Sequence, residues 1–443
     1  MEKGDNRSRN DTVLTINISS SVFSALLFLL GGVVSAILVS NLGIFLPTRK
    51  SISGTGTTEL STLPNTEVQK FDYGLRNWPV SASQKSSVSP DVAGEVQAAV
   101  NQALDAQSIG RKEKAHKLFQ HALALDPSHA DTLNAYGEFI EEEDIIKANH
   151  FYSCALISND SHSKALMNRE RTSAAVAEID KRMFAKVDEK RELLGLQIPD
   201  NNGALQRAQE EFYYLQIYHT TAIEGNTLSL EQMRSIMETG LAVGGKSVME
   251  HNEVLGLNLA LQFINNTLMH RFGKITIDDI LQIHKRVLGH VDPLEAGSLR
   301  TTQVFVGGYI PPPSVEIIDL MDDFVDWINS EGALSLHPVE FAALAHYKFV
   351  YIHPFMDGNG RTSRLLMNLI LLRAGYPPVI VKLSQRQQYY ETIKQANAGD
   401  IRPFIRFICN CLDDMLDAYL WLTSDSPNSL PEIEEGKRLV TDL

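Results

Sequence analysis

The chain has 443 residues, a net charge of −14 and a hydrophobic content of 44%. This length is enough for about two or three domains with apolar cores, and the acidic balance argues against a broad nucleic-acid-binding surface. The three cysteines, Cys154, Cys409 and Cys411, form no metal-ligand pattern and imply no disulfide framework.

The first distinctive stretch is long and apolar. No charged residue occurs from Leu14 to Thr48, and the run from Val22 to Val39 is almost wholly hydrophobic. One membrane-spanning helix needs about 20 such residues. We therefore predict an N-terminal cytosolic segment over residues 1–21 and a retained anchor over 22–42. A cleaved signal peptide is the alternative, but the length of the run and the lack of a clear small-residue cleavage site argue against it.

The basic residues beside this run indicate its orientation. Lys3, Arg7 and Arg9 precede it, whereas Arg49 and Lys50 follow it. The small excess on the N-terminal side favours a cytosolic N-terminus, because positive residues are retained on that side. Next, residues 43–93 are predicted to be a flexible linker, since most of this stretch is rich in Ser, Thr, Pro and Gly and has little periodicity.

Residues 94–168 contain an internal repeat. Ala122-Leu123 followed by Asp126-Pro127-Ser128-His129 is answered by Ala155-Leu156 and Asn159-Asp160-Ser161-His162. The offset is close to the tetratricopeptide period of about 34 residues. We predict two such repeats, which commonly bind partner peptides; a rigid spacer is the alternative. Residues 169–199 have apolar positions among many charges and are predicted to be a linker helix that covers the repeats.

The most informative segment is a loop between two apolar helical patterns, His353-Pro354-Phe355-Met356-Asp357-Gly358-Asn359-Gly360-Arg361-Thr362-Ser363-Arg364. Its glycines permit close approach of a ligand to the backbone, and the free N–H groups of a helix start favour an anion. Arg361 and Arg364 are three residues apart, so both can project on one side of the first turn. This pattern predicts a phosphate site.

Two further residues of the segment add catalytic chemistry. Asp357 supplies a carboxylate suited to Mg²⁺, which prefers one or two carboxylates together with phosphate oxygens. His353 stands at the entrance of the loop, and imidazole is the usual general base near neutral pH. The alternative interpretation is a purely structural helix–loop–helix with a capping Asn and surface arginines. It explains neither the presence of His353 nor the paired arginines.

The segment matches without a gap the HPFx(D/E)GNGRxxR signature of Fic-domain proteins, and the chain is identified as resembling that family. The resemblance implies an all-α Fic domain over about 200–425, followed by a tail over 426–443. The expected fold class is thus all-α: a repeat pair and linker helix joined to a Fic domain that carries a β-hairpin flap, with one N-terminal transmembrane helix. The resemblance to Fic-domain proteins also implies protein adenylyltransferase activity, with ATP as the donor of AMP to a Thr or Ser hydroxyl.

Family position assigns roles to individual residues. His353 is the expected base, and Asp357 the expected ligand of Mg²⁺ (or Mn²⁺). The implied nucleotide-binding residues are Gly358, Asn359, Gly360, Arg361 on the β-phosphate, Arg364 on the γ-phosphate, and Tyr390 and Asn397 on the adenine. The flap, around Gly307-Gly308, is expected to hold the target by strand addition through Thr302, Gln303, Val304, Phe305 and Val306.

An earlier stretch, Thr221-Ala222-Ile223-Glu224-Gly225-Asn226, resembles the inhibitory motif (S/T)xxxE(G/N) of the family. By that resemblance Glu224 pairs with Arg364 and blocks the γ-phosphate site. A carboxylate that occupies the guanidinium also repels the phosphate. We therefore expect an autoinhibited enzyme, and Glu224 is implied to align a water for the reverse reaction, removal of AMP.

The order of anchor, repeats, linker helix, inhibitory glutamate and Fic core resembles the animal endoplasmic-reticulum members of the family. This implies a single-pass type II protein of the endoplasmic-reticulum membrane with a lumenal catalytic domain, the Hsp70-type chaperone BiP as substrate, and a homodimer. The sequon at Asn265-Asn266-Thr267 fits a lumenal glycosylation site. Two alternatives remain open: a Fic enzyme that transfers UMP or phosphate, and a tetratricopeptide adaptor whose Fic site only senses nucleotide.

Overall fold

The structure is a computed structural model that describes residues 89–197 and 203–423. The predicted anchor over 22–42, nearly all of the predicted linker over 43–93, and the tail over 426–443 lie outside the described residues. Within the described ranges, no helix is long and apolar enough to cross a membrane.

Helices account for most of the described residues. In chain order they are α1 (Pro90–Ser108), α2 (Lys112–Leu125), α3 (Ala130–Ile140), α4 (Ile145–Ser158), α5 (Ser163–Gln197), α6 (Gly203–Ile223), α7 (Leu230–Thr239), α8 (Val248–Phe263), α9 (Ile277–Leu288), α10 (Ile317–Ile328), α11 (Glu331–Leu334), α12 (Pro338–Ile352), α13 (Asn359–Arg373), α14 (Arg386–Asn397) and α15 (Arg402–Thr423). The expectation of a nearly all-α protein is confirmed for this part of the chain.

The first four helices form two helical hairpins, in which α1 packs on α2 and α3 packs on α4. The residues that define the sequence repeat are completely buried in both units: Ala115, Phe119 and Ala122 in the first, and Ala148, Tyr152 and Ala155 in the second. The 33-residue offset seen in the sequence therefore relates equivalent core positions. The assignment of these hairpins to the tetratricopeptide class stays a prediction.

Two helices in this region begin before the predicted domain boundaries. Helix α1 begins at Pro90 rather than near residue 94, because Ser89 caps the helix and a proline is favoured at its first position. Helix α5 begins at Ser163, so the linker helix includes residues 163–168 that were predicted to belong to the repeats. His162 explains this start, since its Nδ1 accepts the backbone N–H of Ala165.

Charged side chains connect these helices to the C-terminal part of the described chain. On α5, Lys190 lies 2.6 Å from both Asp413 and Asp417 of α15. On α4, His150 Nδ1 donates to the fully buried carboxylate of Asp400 at 2.9 Å.

The core is organised around the pair α12 and α13, which pack against each other and are buried on most of their faces. Helices α9 and α6 contact α13, and α10, α14 and α15 contact α12. Apolar side chains of these elements belong to one large cluster. The loop between α12 and α13 is thus held at the centre of the domain.

The predicted β-hairpin is only partly formed. Val306 and Tyr309 make one antiparallel bridge around Gly307-Gly308, and no strand extends from it in the described residues. The three prolines Pro311–Pro313 explain the difference, because a proline has no N–H to donate to a ladder. The carbonyl of Pro311 is instead satisfied by the side-chain amide of Gln303 at 2.9 Å.

Candidate active site

The signature loop begins with an unusual backbone conformation at His353. This residue ends α12 in the left-handed region with φ of 51°, and it is the one non-glycine residue with positive φ among the described residues. Arg300 holds this turn: its Nε donates to the carbonyl of His353 at 2.7 Å, and its backbone N–H to the carbonyl of Pro354 at 2.9 Å. Strain of this kind is retained where the surroundings enforce it, and it is typical of functional sites.

One ring nitrogen of His353 is free to accept a proton, as a general base requires. Its Nδ1 lies 3.2 Å from the carbonyl of Val350, and because a carbonyl can only accept, Nδ1 carries the proton and Nε2 is free to accept one. The side chain is partly buried, and this burial lowers the pKa of His353 below its ordinary value. The neutral form needed for proton abstraction is therefore favoured.

Helix α13 begins with an open N-terminus. Gly358 precedes it in the left-handed region with φ of 76°, and no side chain caps the first turn. The side chain of Asn359 instead braces the loop, since it accepts from the N–H of Phe355 at 3.0 Å and donates to the carbonyl of Phe355 at 2.9 Å. The N–H groups of the first turn therefore remain available for an anion.

The two signature arginines are almost completely buried, with side-chain exposures of 3% for Arg361 and 4% for Arg364. Arg361 pairs with Asp357 at 3.0 Å and with Glu253 at 3.1 Å. The Nε atom of each arginine is buried without a hydrogen-bond partner. Buried donors are nearly always satisfied in proteins, so these two N–H groups are available to an acceptor on a bound ligand or water.

Glu224 closes this site from the direction of α6. It follows the last residue of that helix, and its carboxylate lies against Gly360, where a side chain would not fit. Arg364 Nη2 donates to Glu224 Oε1 at 2.6 Å and to the carbonyl of Thr220 at 3.0 Å. Burial alone would lower the pKa of Arg364, but the Glu224 carboxylate outweighs it and raises that pKa. The inhibitory motif and the signature are thus in direct contact.

Asp357 is placed to bind a cation together with a ligand. Its side chain is 63% exposed, and its Oδ1 accepts the N–H of Gly358 at 2.6 Å. No group of three His, Cys, Asp or Glu side chains forms a metal site in the described part of the chain. A single carboxylate fits Mg²⁺, which usually takes one or two protein carboxylates and completes its shell with phosphate oxygens and water.

The residues expected around the adenine lie on α14. Tyr390 is 40% exposed, and burial of the remainder raises the pKa of its phenol. The charges of Glu224 and Arg364 also act on this phenol, so Tyr390 is close to both residues. Asn397 ends the same helix two turns later and is partly buried. Their spacing of seven residues, about two turns, puts both on one side of α14.

The flap residues flank the same loop. Thr302 hydrogen-bonds through its hydroxyl to the sulfur of Met356 at 3.3 Å, and Phe305 is 73% exposed. Gln303, Val304 and Val306 complete this exposed or half-exposed segment. Asn265, the predicted glycosylation site, lies away from these residues in sequence, in a π-helical turn over Ile264–Leu268, and is partly buried.

Sequence reasoning missed a buried histidine beneath the signature loop. His284 donates from Nε2 to the carbonyl of Asp357 at 2.9 Å, and its Nδ1 accepts the N–H of Gly297 at 2.9 Å. Its ring stacks on Phe355 with centroids 3.5 Å apart. Burial lowers the pKa of His284 to about 4, which keeps it neutral. The available signal was a histidine on the apolar face of α9.

Arg300 and Glu253 were also missed as supports of the site. The guanidinium of Arg300 reaches the carbonyls of His353, Thr302 and Pro312. Glu253 is held against Arg361 by the packing of α8. Neither contact is visible in the sequence, because each joins positions more than 50 residues apart.

Comparison with known proteins agrees with the geometry. Residues 274–371 match the model of the Fic/DOC family. The chain is 53% identical over 331 residues to Protein adenylyltransferase Fic of Aedes aegypti, covering 74% of this chain and 66% of that protein. It is 50% identical over 371 residues to the protein of the same name from Drosophila yakuba, covering 81% and 74% respectively. It therefore spans about two thirds to three quarters of these relatives.

Solved structures show the same similarity. Fic-1 from C. elegans superposes with a TM-score of 0.67 and 43% sequence identity, and the match covers 72% of this chain and 97% of that one.

Proposed function

This chain belongs to the Fic/DOC family, in the branch of protein adenylyltransferases, and from that premise we propose that it transfers AMP from ATP to a Thr or Ser hydroxyl of the Hsp70-type chaperone BiP. The observation that carries the proposal is the contact of Glu224 with Arg364 beside an intact His353. A site with a base, open N–H groups and two buried guanidiniums suits phosphoryl-group chemistry, and a carboxylate on one of those guanidiniums suits its regulation.

The transfer step is a displacement at the α-phosphorus of ATP. Nε2 of His353 accepts the proton of the target hydroxyl, and the oxygen forms a bond to the α-phosphorus of ATP. The bond from that phosphorus to the bridging oxygen breaks, and pyrophosphate leaves with its electron pair. The products are a protein–AMP phosphodiester and pyrophosphate. The Nδ1–H bond to Val350 keeps the base in the required tautomer throughout.

The rest of the signature would hold the phosphates. Backbone N–H groups at Asn359 and Gly360 would face phosphate oxygens, as would that of Gly358 once Asp357 Oδ1 has turned away from it toward the cation. Arg361 would bind the β-phosphate, and Arg364 the γ-phosphate. Asp357 would hold Mg²⁺ or Mn²⁺, which supplies charge neutralisation for the leaving pyrophosphate. On α14, Tyr390 and Asn397 would contact the adenine.

Autoinhibition follows from competition for Arg364. A γ-phosphate needs the guanidinium that Glu224 occupies, and the carboxylate would repel it at close range. ATP then binds in a pose unfit for transfer until Glu224 withdraws. In the reverse reaction the same carboxylate would align a water on the protein–AMP phosphodiester, so that one enzyme both adds and removes AMP. This domain order resembles that of the endoplasmic-reticulum enzyme FICD (HYPE).

The cellular setting belongs to the same proposal. The uncharged run over 22–42 would anchor a single-pass type II protein in the endoplasmic-reticulum membrane, with the catalytic domain in the lumen and Asn265 glycosylated. A homodimer is supported by large apolar side chains exposed near the start of α8: Leu241 at 69%, Val248 at 73% and Met249 at 58%. The flap residues would bind the target segment, and the repeat hairpins would help to hold the chaperone.

Two other functions differ in what they predict. An enzyme that moves UMP or phosphate would use the same base and phosphate cradle with another nucleotide. A nucleotide-sensing adaptor would need no base, and the prepared state of His353 argues against it.

The three functions are separated by incubating BiP and the Glu224→Gly variant with ATP labelled at the α-phosphate, ATP labelled at the γ-phosphate, or UTP labelled at the α-phosphate. AMP transfer labels BiP only from the first. Label from γ-labelled ATP or from UTP would establish the other chemistry, and no label from any would favour the adaptor. His353→Ala in the same background is the matched control and should remove the label.

A further inference from the structure

A second carboxylate engages the signature from outside both family motifs. Glu253 lies on α8 with its side chain 13% exposed. Its Oε1 accepts from Nη1 of Arg361 at 3.1 Å, and its Oε2 accepts from Nδ2 of Asn226 at 2.8 Å. One partly buried carboxylate therefore uses both oxygens, one for Arg361 and one for Asn226.

The two carboxylates on Arg361 differ in their freedom to move. Asp357, on Nη2 at 3.0 Å, is 63% exposed and is the residue that would turn toward a metal ion. Glu253, on Nη1, is enclosed, and Asn226 restrains its second oxygen. When Asp357 is drawn to a cation, Glu253 is the partner that remains on the guanidinium.

Asn226 is itself firmly placed, which fixes the carboxylate that it contacts. Its amide also donates to the carbonyl of Glu250 at 3.1 Å, and its side-chain oxygen accepts the N–H of Leu228 at 3.1 Å. The orientation of Glu253 is therefore set, through Asn226, by a backbone carbonyl on α8 and a backbone N–H of the loop before α7. A guanidinium held on one edge by a fixed acceptor presents its other N–H groups in a defined direction.

We propose that Glu253 is a positioning residue that aims Arg361 at the β-phosphate of the bound nucleotide. With Nη1 taken by Glu253, the unsatisfied Nε of Arg361 and the Nη2 that Asp357 releases are the donors left for that phosphate. This inference rests on the proposed function in one respect, the assignment of Arg361 to the β-phosphate. It requires no transfer of AMP.

Comparing the affinities for ADP and AMP distinguishes this positioning role of Glu253 from a general structural role, because only ADP has a β-phosphate. We expect Glu253→Gln to lose about tenfold in affinity for ADP in the presence of Mg²⁺. A glutamine keeps the shape but loses the charge, and its single amide oxygen cannot serve Arg361 and Asn226 together. Affinity for AMP should change by less than about twofold. Calorimetry measures ADP binding, and displacement of ADP measures AMP.

Two further variants control the result. Glu253→Asp retains a carboxylate and should recover part of the ADP affinity. Gln262→Ala changes an exposed residue on the same helix and should bind both nucleotides as the parent does. Thermal unfolding of each variant shows whether it folds, and Glu253→Asp keeps the test usable if Glu253→Gln is unstable.

Unchanged ADP affinity in Glu253→Gln would overturn the proposal, as would equal losses for ADP and AMP or an absence of recovery in Glu253→Asp. Failure of AMP transfer to BiP would overturn the proposed function and leave this binding result intact. Conversely, a failure here would leave the transfer reaction standing and remove only the role of Glu253.

Discussion

Glu224 and Arg364 are 140 residues apart in sequence, and their side chains meet at 2.6 Å over the start of the signature helix. The guanidinium is buried, whereas the carboxylate is 29% exposed. The acid can therefore leave toward solvent, but the arginine cannot. A phosphate that replaces the acid restores the charge pair, whereas an empty site leaves a buried cation without a partner.

This asymmetry predicts how ATP stabilises the protein. In Glu224→Gly the γ-phosphate can reach Arg364, so Mg²⁺ and ATP should raise the melting temperature of the variant more than that of the parent. Thermal unfolding with and without nucleotide measures the difference. ADP, which lacks the γ-phosphate, is the matched ligand and should raise both proteins similarly. If ATP raised the melting temperatures of the two proteins equally, Glu224 would not be competing with the γ-phosphate for Arg364.

The environment of His353 predicts a pH profile. Burial lowers the pKa of its imidazole below the ordinary value of 6.5, so the basic form predominates at pH 6.5. Transfer by Glu224→Gly should therefore fall to half its maximum only below pH 6.5, as Nε2 becomes protonated. The profile of kcat/KM for the chaperone measures this. A midpoint at or above pH 6.5 would contradict it.

His353→Ala tests the same residue without a change of pH. It should abolish transfer while the protein keeps its fold, because the structural bonds of His353 are made mainly by its backbone. Circular dichroism and thermal unfolding provide the control. Residual transfer close to that of the parent would remove His353 from the role of base.

His284 is expected to support both stability and activity. His284→Phe keeps a ring to stack on Phe355 but leaves the N–H of Gly297 and the carbonyl of Asp357 without partners, at a cost of about 1–3 kcal/mol in the free energy of unfolding. Urea unfolding at pH 7 measures this loss. Transfer by the variant in a Glu224→Gly background should also fall, because Asp357 is no longer held.

The pKa of His284 adds a second readout. It is lowered to about 4, so the stability that the neutral ring contributes is present above pH 6.5 and is lost as the pH falls toward 4. The parent should therefore lose more stability between pH 7 and pH 5 than His284→Phe does. An equal loss in the two proteins would show that His284 does not titrate in this way.

The buried pair of His150 and Asp400 should have the opposite pH dependence. Burial alone would lower the pKa of His150, but the hydrogen bond to Asp400 outweighs it and raises the pKa to about 10. The stability from this pair is present in full below pH 6.5 and is lost as the pH rises through about 10. His150→Leu should therefore destabilise the protein near neutral pH, by about 2–4 kcal/mol, and less at pH 10. Denaturant unfolding at the two pH values checks the sign.

The sequence was most informative where chemistry and spacing coincide. The signature over 353–364 predicted a loop between two buried helices and a phosphate site, and the structure has that loop with its open helix start. The pairing of Glu224 with Arg364 came from resemblance to a family motif, not from periodicity. Only the fold shows that the acid lies against Gly360 and faces solvent on one side.

The residues that hold the signature loop and its arginines in place could not be predicted from the sequence, because their contacts depend on long-range packing. Arg300, His284 and Glu253 each join segments that are distant in sequence, and each is an ordinary residue in its own local pattern. The prediction of a full β-hairpin was wrong for a reason that is visible in the local sequence. Pro311–Pro313 stand where the second strand would need backbone N–H donors. The early start of α5 depends on a histidine cap that propensity rules do not anticipate.

The most direct test of the account is intact-mass spectrometry of BiP after incubation with Mg²⁺, ATP and either the parent protein or Glu224→Gly. Glu210→Ala, an exposed change on the same helix as the inhibitory motif, is the matched control. We predict that Glu224→Gly adds the mass of one AMP to BiP at least about tenfold faster than the parent, and that Glu210→Ala behaves as the parent does. Equal AMP incorporation by the parent and Glu224→Gly would contradict autoinhibition by Glu224.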